Sequence, residues 1–167
     1  SGESIAIDTV EMKLYFENNN DIWMREINRV EVKVIIKNAN VEKMAIDWIG
    51  RRLFWTESSS KRISVATLDG KEKRVLTSTS RNPRGIAIDS TLGFLFWTEN
   101  GVIIRFNLAD SIKVTLVTYV GDVYVIKLDC RKKRVYWLEY SSRIKSCDYG
   151  GKEKKTITEG QFDRNLL

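Results

Sequence analysis

Apolar positions along this chain come in short blocks of four to eight residues, rich in Ile, Val, Phe, Tyr and Trp, and each block is closed by Gly, Asn, Asp or Ser. Blocks of that length and composition predict β-strands, with turns at the separators. Residues 85–117 show the order most clearly, with a strand A at 85–89, B at 94–98, C at 102–107 and D at 113–117. In the preceding stretch, Asp69-Gly70 suits a tight hairpin, because Asp-Gly supplies the positive φ angles of a type I′ turn. The A and B blocks are apolar almost throughout. Strands read that way when neighbours cover both faces of the sheet, and a radial stack of four-stranded blades provides such cover.

The blocks repeat. Ile5-Ala6-Ile7-Asp8, Met44-Ala45-Ile46-Asp47, Ile86-Ala87-Ile88-Asp89 and Ile126-Lys127-Leu128-Asp129 are one segment in four copies, with aspartates 39, 42 and 40 residues apart. A second anchor keeps step: Leu14-Tyr15-Phe16-Glu17, Leu53-Phe54-Trp55-Thr56-Glu57, Leu95-Phe96-Trp97-Thr98-Glu99 and Val135-Tyr136-Trp137-Leu138-Glu139, with glutamates 40, 42 and 40 apart. A period near 40 residues is the mark of a repeat architecture. Residues 1–167 therefore read as a single domain, with repeats at about 1–40, 41–81, 82–121 and 122–161.

Composition narrows the chemistry. An apolar share of 43%, with five Trp, six Tyr and six Phe, supports a sizeable core. No apolar run approaches the ~20 residues that cross a bilayer, and Ser1-Gly2-Glu3-Ser4 has no basic lead into an apolar stretch, so a soluble fragment without its targeting sequence is expected. Lys and Arg outnumber Asp and Glu by 28 to 22, most densely at 71–74, 131–134 and 152–155. These clusters fall between strands and read as solvated hairpin tips, not as a nucleic-acid surface. The absence of histidine removes the commonest general base, the His-containing triads and the HExxH zinc motif. It also removes the side chain that ordinarily titrates between pH 5 and 8.

Leu-Phe-Trp-Thr-Glu, preceded by Ala-Ile-Asp about ten residues earlier and followed by Arg62-Ile63-Ser64-Val65-Ala66-Thr67-Leu68-Asp69-Gly70, resembles the YWTD repeat of the low-density lipoprotein receptor class. The clearest copy runs from Met44 to Leu76. Glu replaces the final Asp in every copy, Phe replaces Tyr in two, and in the first repeat Phe16 takes the Trp place while the Thr place is missing. The resemblance implies an all-β fold, a YWTD β-propeller in which four four-stranded antiparallel blades are part of a six-bladed ring. It implies an extracellular location, as in lipoprotein-receptor-related proteins, the epidermal growth factor precursor and Ros/sevenless-type receptor kinases. Four blades of a ring that closes at six leave two open flanks, so a partial chain is expected, with a closed four-bladed ring as the alternative.

Within that frame, Trp55, Trp97 and Trp137 are expected to wedge between blades, while Trp23 and Trp48 lie outside the motif. The family's acidic residue ties a blade to its neighbour, which the resemblance carries to Glu57, Glu99 and Glu139. Asp8, Asp47, Asp89 and Asp129 end strand A, where a carboxylate can accept the N–H groups of the following turn. Cys130 and Cys147 are the only cysteines. An even count in an extracellular module suggests a disulfide, yet two strand separations set them about 9–10 Å apart against the roughly 7 Å that a bridge allows; both readings stand. No Asn-x-Ser/Thr sequon occurs.

Loops at one end of a rigid scaffold carry binding in most architectures, and in such propellers that end is built by the B–C and D–A loops. Candidate ligand-binding residues there are Lys61, Arg62, Arg81, Asn82, Arg84, Asn100, Tyr119, Tyr140 and Arg143, since Arg and Tyr dominate interface hot spots. The implied function is non-catalytic binding of a protein ligand or co-receptor, alongside neighbouring modules of the same parent chain. No cofactor, metal or nucleic acid is expected, and the membrane enters only through a span elsewhere. Two alternative functions fit the sequence less well. A lactonase-like propeller enzyme needs acidic and amide side chains around a channel metal, where strand A offers Ile, Ala, Met and Leu. An intracellular WD-type scaffold needs Gly-His and Trp-Asp dipeptides, and neither occurs.

Overall fold

The computed structural model describes residues 4–118, 121, 123–139 and 143–159. They form sixteen strands and, among the described residues, no helix. The first blade is β1 (Ile5–Asp8), β2 (Lys13–Asn18), β3 (Asp21–Glu26) and β4 (Val32–Ile36). The second is β5 (Lys43–Asp47), β6 (Arg52–Glu57), β7 (Arg62–Thr67) and β8 (Arg74–Ser78). The third is β9 (Pro83–Asp89), β10 (Phe94–Glu99), β11 (Val102–Asn107) and β12 (Lys113–Thr118). The fourth is β13 (Val123–Asp129), β14 (Arg134–Glu139), β15 (Arg143–Asp148) and β16 (Lys155–Glu159). Each blade is an antiparallel meander in chain order, and the first strands of successive blades lie side by side. The β9 strand begins two residues earlier than its sequence suggests, through an irregularity in its pairing between Trp97 and Glu99.

The period-2 alternation of a strand explains why the B blocks are apolar throughout. Trp55 packs with Tyr15, Ile22, Ile36 and Met44 between blades one and two, whereas its neighbour Phe54 turns to Ile86, Trp97 and Ile104 between blades two and three. Phe96 and Trp137 repeat the scheme between blades three and four. The core is thus three layers between four sheets, and the tryptophans of the motif are the wedges. On the side of blade one turned away from blade two, Ile5 and Ile7 remain 63% and 54% exposed.

Polar ties cross the same interfaces. The hydroxyl of Thr56 donates to the carbonyl of Arg84 in the next blade at 2.7 Å and accepts from the Lys43 N–H in its own. Thr98 does the same toward Val123 O at 2.8 Å and from Gly85 N. Of the glutamates expected to make such a tie, Glu99 does so among the described residues, accepting the Arg81 N–H of the connection from blade two. Glu57, Glu99 and Glu139 each accept the indole N–H two residues earlier on their own strand, at 3.1, 2.9 and 3.3 Å. Glu57 and Glu139 reach instead to the next strand of their own blade, Glu57 to Arg62 and Ser64 and Glu139 to Lys145. A strand side chain and its i−2 neighbour share a face, so indole and carboxylate meet.

The first repeat is also corrected. Tyr15 pairs with Ala6 as Phe54 pairs with Ala45, and Asp8 faces Lys13 as Asp47 faces Arg52. No threonine place is missing: Glu17 occupies it and Asn18 stands at the acid place. The aspartates act as expected, accepting turn N–H groups of Val10, Gly50, Thr91 with Leu92, and Lys132. Two of them also bridge blades. Arg51 grips Asp8 with two hydrogen bonds of 2.9 and 2.6 Å, which hold that buried carboxyl below its ordinary pKa, and the Tyr149 hydroxyl donates to Asp89.

One further expectation changes, and of the two cysteine readings one is realised. The Asp69-Gly70 turn is not type I′, since φ is positive at Gly70 (+78°) and not at Asp69, and a I′ turn requires both. The cysteines are unbonded. Cys147 is buried in the layer between blades three and four, where desolvation pushes its thiol up to about 11, while Cys130 is exposed.

Candidate functional site

The meander puts every B–C turn and D–A connection at one end of the blades and every A–B and C–D turn at the other. Lys61, Arg62, Arg81, Asn82, Arg84, Asn100 and Arg143 therefore share the first end, while Tyr119 and Tyr140 lie outside the described residues.

Arg62 opens β7 opposite Glu57. Its guanidinium bonds the Glu57 carboxylate at 2.7 Å, and that carboxylate, fully buried, also holds the Trp55 indole and the Ser64 hydroxyl. Arg62 is thereby fixed at the rim with its charge matched. Glu57→Ala is expected to cost roughly 2–3 kcal/mol, because Ser64 is left buried without its acceptor and Arg62 without its counter-ion. Urea unfolding monitored by tryptophan fluorescence measures it; Glu57→Gln, which keeps the acceptor oxygen, should recover part of the loss.

Arg81 bonds the Asn100 carbonyl through Nη1 at 2.6 Å, so two candidates from different loops are in contact. Lys61 is exposed and its carbonyl accepts the Thr79 N–H, joining the B–C turn to the end of β8. Asn82 is half-buried, and Arg143 is exposed at the start of β15.

Arg84 is the most distinctive of them. It lies on an inner strand, and its guanidinium carbon stacks 4.2 Å from the centroid of the Tyr124 ring on the next blade. Its Nε is buried and has no hydrogen-bond partner among the described residues. Gly85 permits the approach, since a Cβ there would meet the Tyr124 carbonyl oxygen at 2.8 Å. A partly exposed guanidinium stacked on a phenol ring is equipped to take a carboxylate or amide oxygen.

Tyr124 escaped the sequence reading, although a signal existed: it lies 40 residues after Arg84, and Glu42 lies 42 before it, the spacings of the strand-A aspartates. Glu42 just before β5, Arg84 on β9 and Tyr124 on β13 thus occupy one repeat position, an acid, a base and a phenol. Among the described residues, no three His, Cys, Asp or Glu side chains are grouped so as to hold a metal ion.

Residues 51–90 match the family model described as low-density lipoprotein receptor repeat class B. Over 59 residues the chain is 42% identical to low-density lipoprotein receptor-related protein 5 of Mus musculus, which covers 35% of this chain and 4% of that relative. The crystal structure of a nidogen/laminin complex contains a chain that superposes with a TM-score of 0.87 at 28% identity, covering 95% of this chain and 64% of that one. Kuenenia stuttgartiensis hydrazine synthase superposes at 0.77 with 15% identity, over 92% and 48%, a likeness of fold alone. The chain therefore spans less than two thirds of the length of each of these proteins.

Proposed function

The chain carries the low-density lipoprotein receptor class B repeat on a YWTD β-propeller fold, and from that premise we propose that it is an extracellular, non-catalytic protein-binding module. The ligand docks on the end formed by the B–C and D–A loops. The observation that carries this reading is Arg84, partly exposed at this end and stacked on Tyr124 of the next blade. Around it the joined pair Arg81 and Asn100 supplies a polar rim, and the whole rests on inner strands packed by the interblade cores. The ligand is a protein segment that presents an acidic or amide side chain to Arg84. The apolar outer side of blade one, with Ile5 and Ile7, suits cover by a further blade of a six-bladed ring.

Peptides selected from a random display library on the immobilised chain provide the probe. Arg84→Ala is expected to weaken the selected peptides by about 2 kcal/mol, roughly thirtyfold, as for a central arginine hot spot. Arg74→Ala, on an outer strand, should leave them unchanged. Selected peptides that bind Arg84→Ala as tightly as the parent chain would refute the assignment of the face.

A further inference from the structure

The opposite end of the fourth blade carries a concentration of charge that the proposed ligand face does not use. Its A–B turn contributes Arg131, Lys132 and Lys133, and its C–D turn contributes Lys152, Lys154 and, at the start of β16, Lys155; all six are exposed. The two turns are joined by a hydrogen bond from Tyr149 N to Lys133 O at 3.1 Å, so the cations form one patch. The local acids are already engaged. Asp129 accepts the Lys132 N–H, Asp148 accepts those of Gly150 and Lys152, and Glu153 pairs with Arg134. Among the described residues, none of the six cations has a carboxylate partner.

The patch continues into a cleft of about 240 Å³ between β12 and the outer strands of the fourth blade, where Lys154 and Lys155 meet the hydroxyl-bearing Thr118 and Thr156 over Trp137; Lys145 on its wall is paired with Glu139. Hydroxyls and unpaired ammonium groups along a shallow recess suit a chain of sulfated sugars.

We infer that this patch binds a linear sulfated polysaccharide. A protein partner fits poorly, because lysine is depleted at the centre of protein interfaces and the turns offer no apolar anchor. Preferential binding of a single nucleic-acid strand over other polyanions draws on aromatic platforms for its bases, and the aromatic residue of these turns, Tyr149, is buried with its hydroxyl on Asp89. A polyanion held by point charges requires neither; its affinity comes from the release of condensed counterions. The choice of a sulfated polysaccharide rests on the extracellular placement proposed above, while the patch itself is independent of the ligand face.

A size-defined heparin oligosaccharide, titrated against the chain at several salt concentrations, tests it. Lys132→Glu combined with Lys154→Glu should weaken binding about tenfold or more and flatten its salt dependence, since two cations leave the contact. Lys33→Glu with Lys37→Glu, the same change in net charge on the first blade, should alter it less than about twofold. Absence of heparin binding, equal losses in the two variants, or equally tight binding of a single-stranded oligonucleotide or of phosphatidylserine vesicles would overturn the inference. Arg84→Ala should leave heparin binding intact, and the patch variant should leave peptide binding intact, so the two readings fail separately.

Discussion

Replacing Trp97 with alanine is expected to lower stability by about 3–5 kcal/mol, the range for removing a large aromatic from a packed core. The indole is fully buried and packs with Phe54, Ile63, Val65, Ile86 and Phe106 between blades two and three. Surrounding strands cannot collapse into the space, because each is fixed by its own ladder, so a cavity term adds to the lost transfer energy. The Glu99 carboxylate, 8% exposed, also loses the indole N–H that it accepts at 2.9 Å. Urea denaturation followed by circular dichroism measures the loss. Trp48→Ala, at a side chain 52% exposed, should change the midpoint little.

Gly70→Ala follows, at about 2–4 kcal/mol. Two costs combine: a residue with a Cβ is strained at φ +78°, and the new carbon would drive into the Ile35 carbonyl oxygen of the neighbouring blade. Gly151 meets the Leu116 carbonyl in the same way, one interface from the other end. Gly93 separates the two costs. Its φ is +66°, but its nearest prospective neighbour is the Leu108 Cβ at 4.0 Å, so Gly93→Ala should cost only the strain, roughly 1 kcal/mol. Parallel urea titrations of both variants give the difference as the contribution of close interblade approach. Equal losses would mean that the C–D turn does not press on its neighbour.

These glycines mark where sequence reading ends. Strand positions followed from blocks of Ile, Val, Phe and Trp because a strand's composition is local, and the wedge role of Trp55, Trp97 and Trp137 followed from their recurrence. Asp69-Gly70 was visible as a turn, but the reason for its glycine lies at Ile35 in another blade, which spacing alone does not reveal. The same holds for threonine. Thr56 and Thr98 make the bonds between blades with carbonyls 28 and 25 residues later, whereas the glutamates attracted attention as the charged members of the motif. In the first repeat, Asn18 at the acid place drew the alignment one residue off, onto Glu17. At the ligand end, arginines could be chosen by type, yet only the stacking of Arg84 on Tyr124 and its buried Nε separate it from Arg62, whose charge Glu57 matches.

Hydrogen–deuterium exchange of the chain with and without a saturating selected peptide tests the binding face most directly. Slower exchange in residues 58–62, 79–84 and 100–101, with residues 68–73 and 108–112 unchanged, is the expected result. Protection confined to 68–73 and 108–112, the turns of the opposite end, would contradict a ligand face built on Arg84.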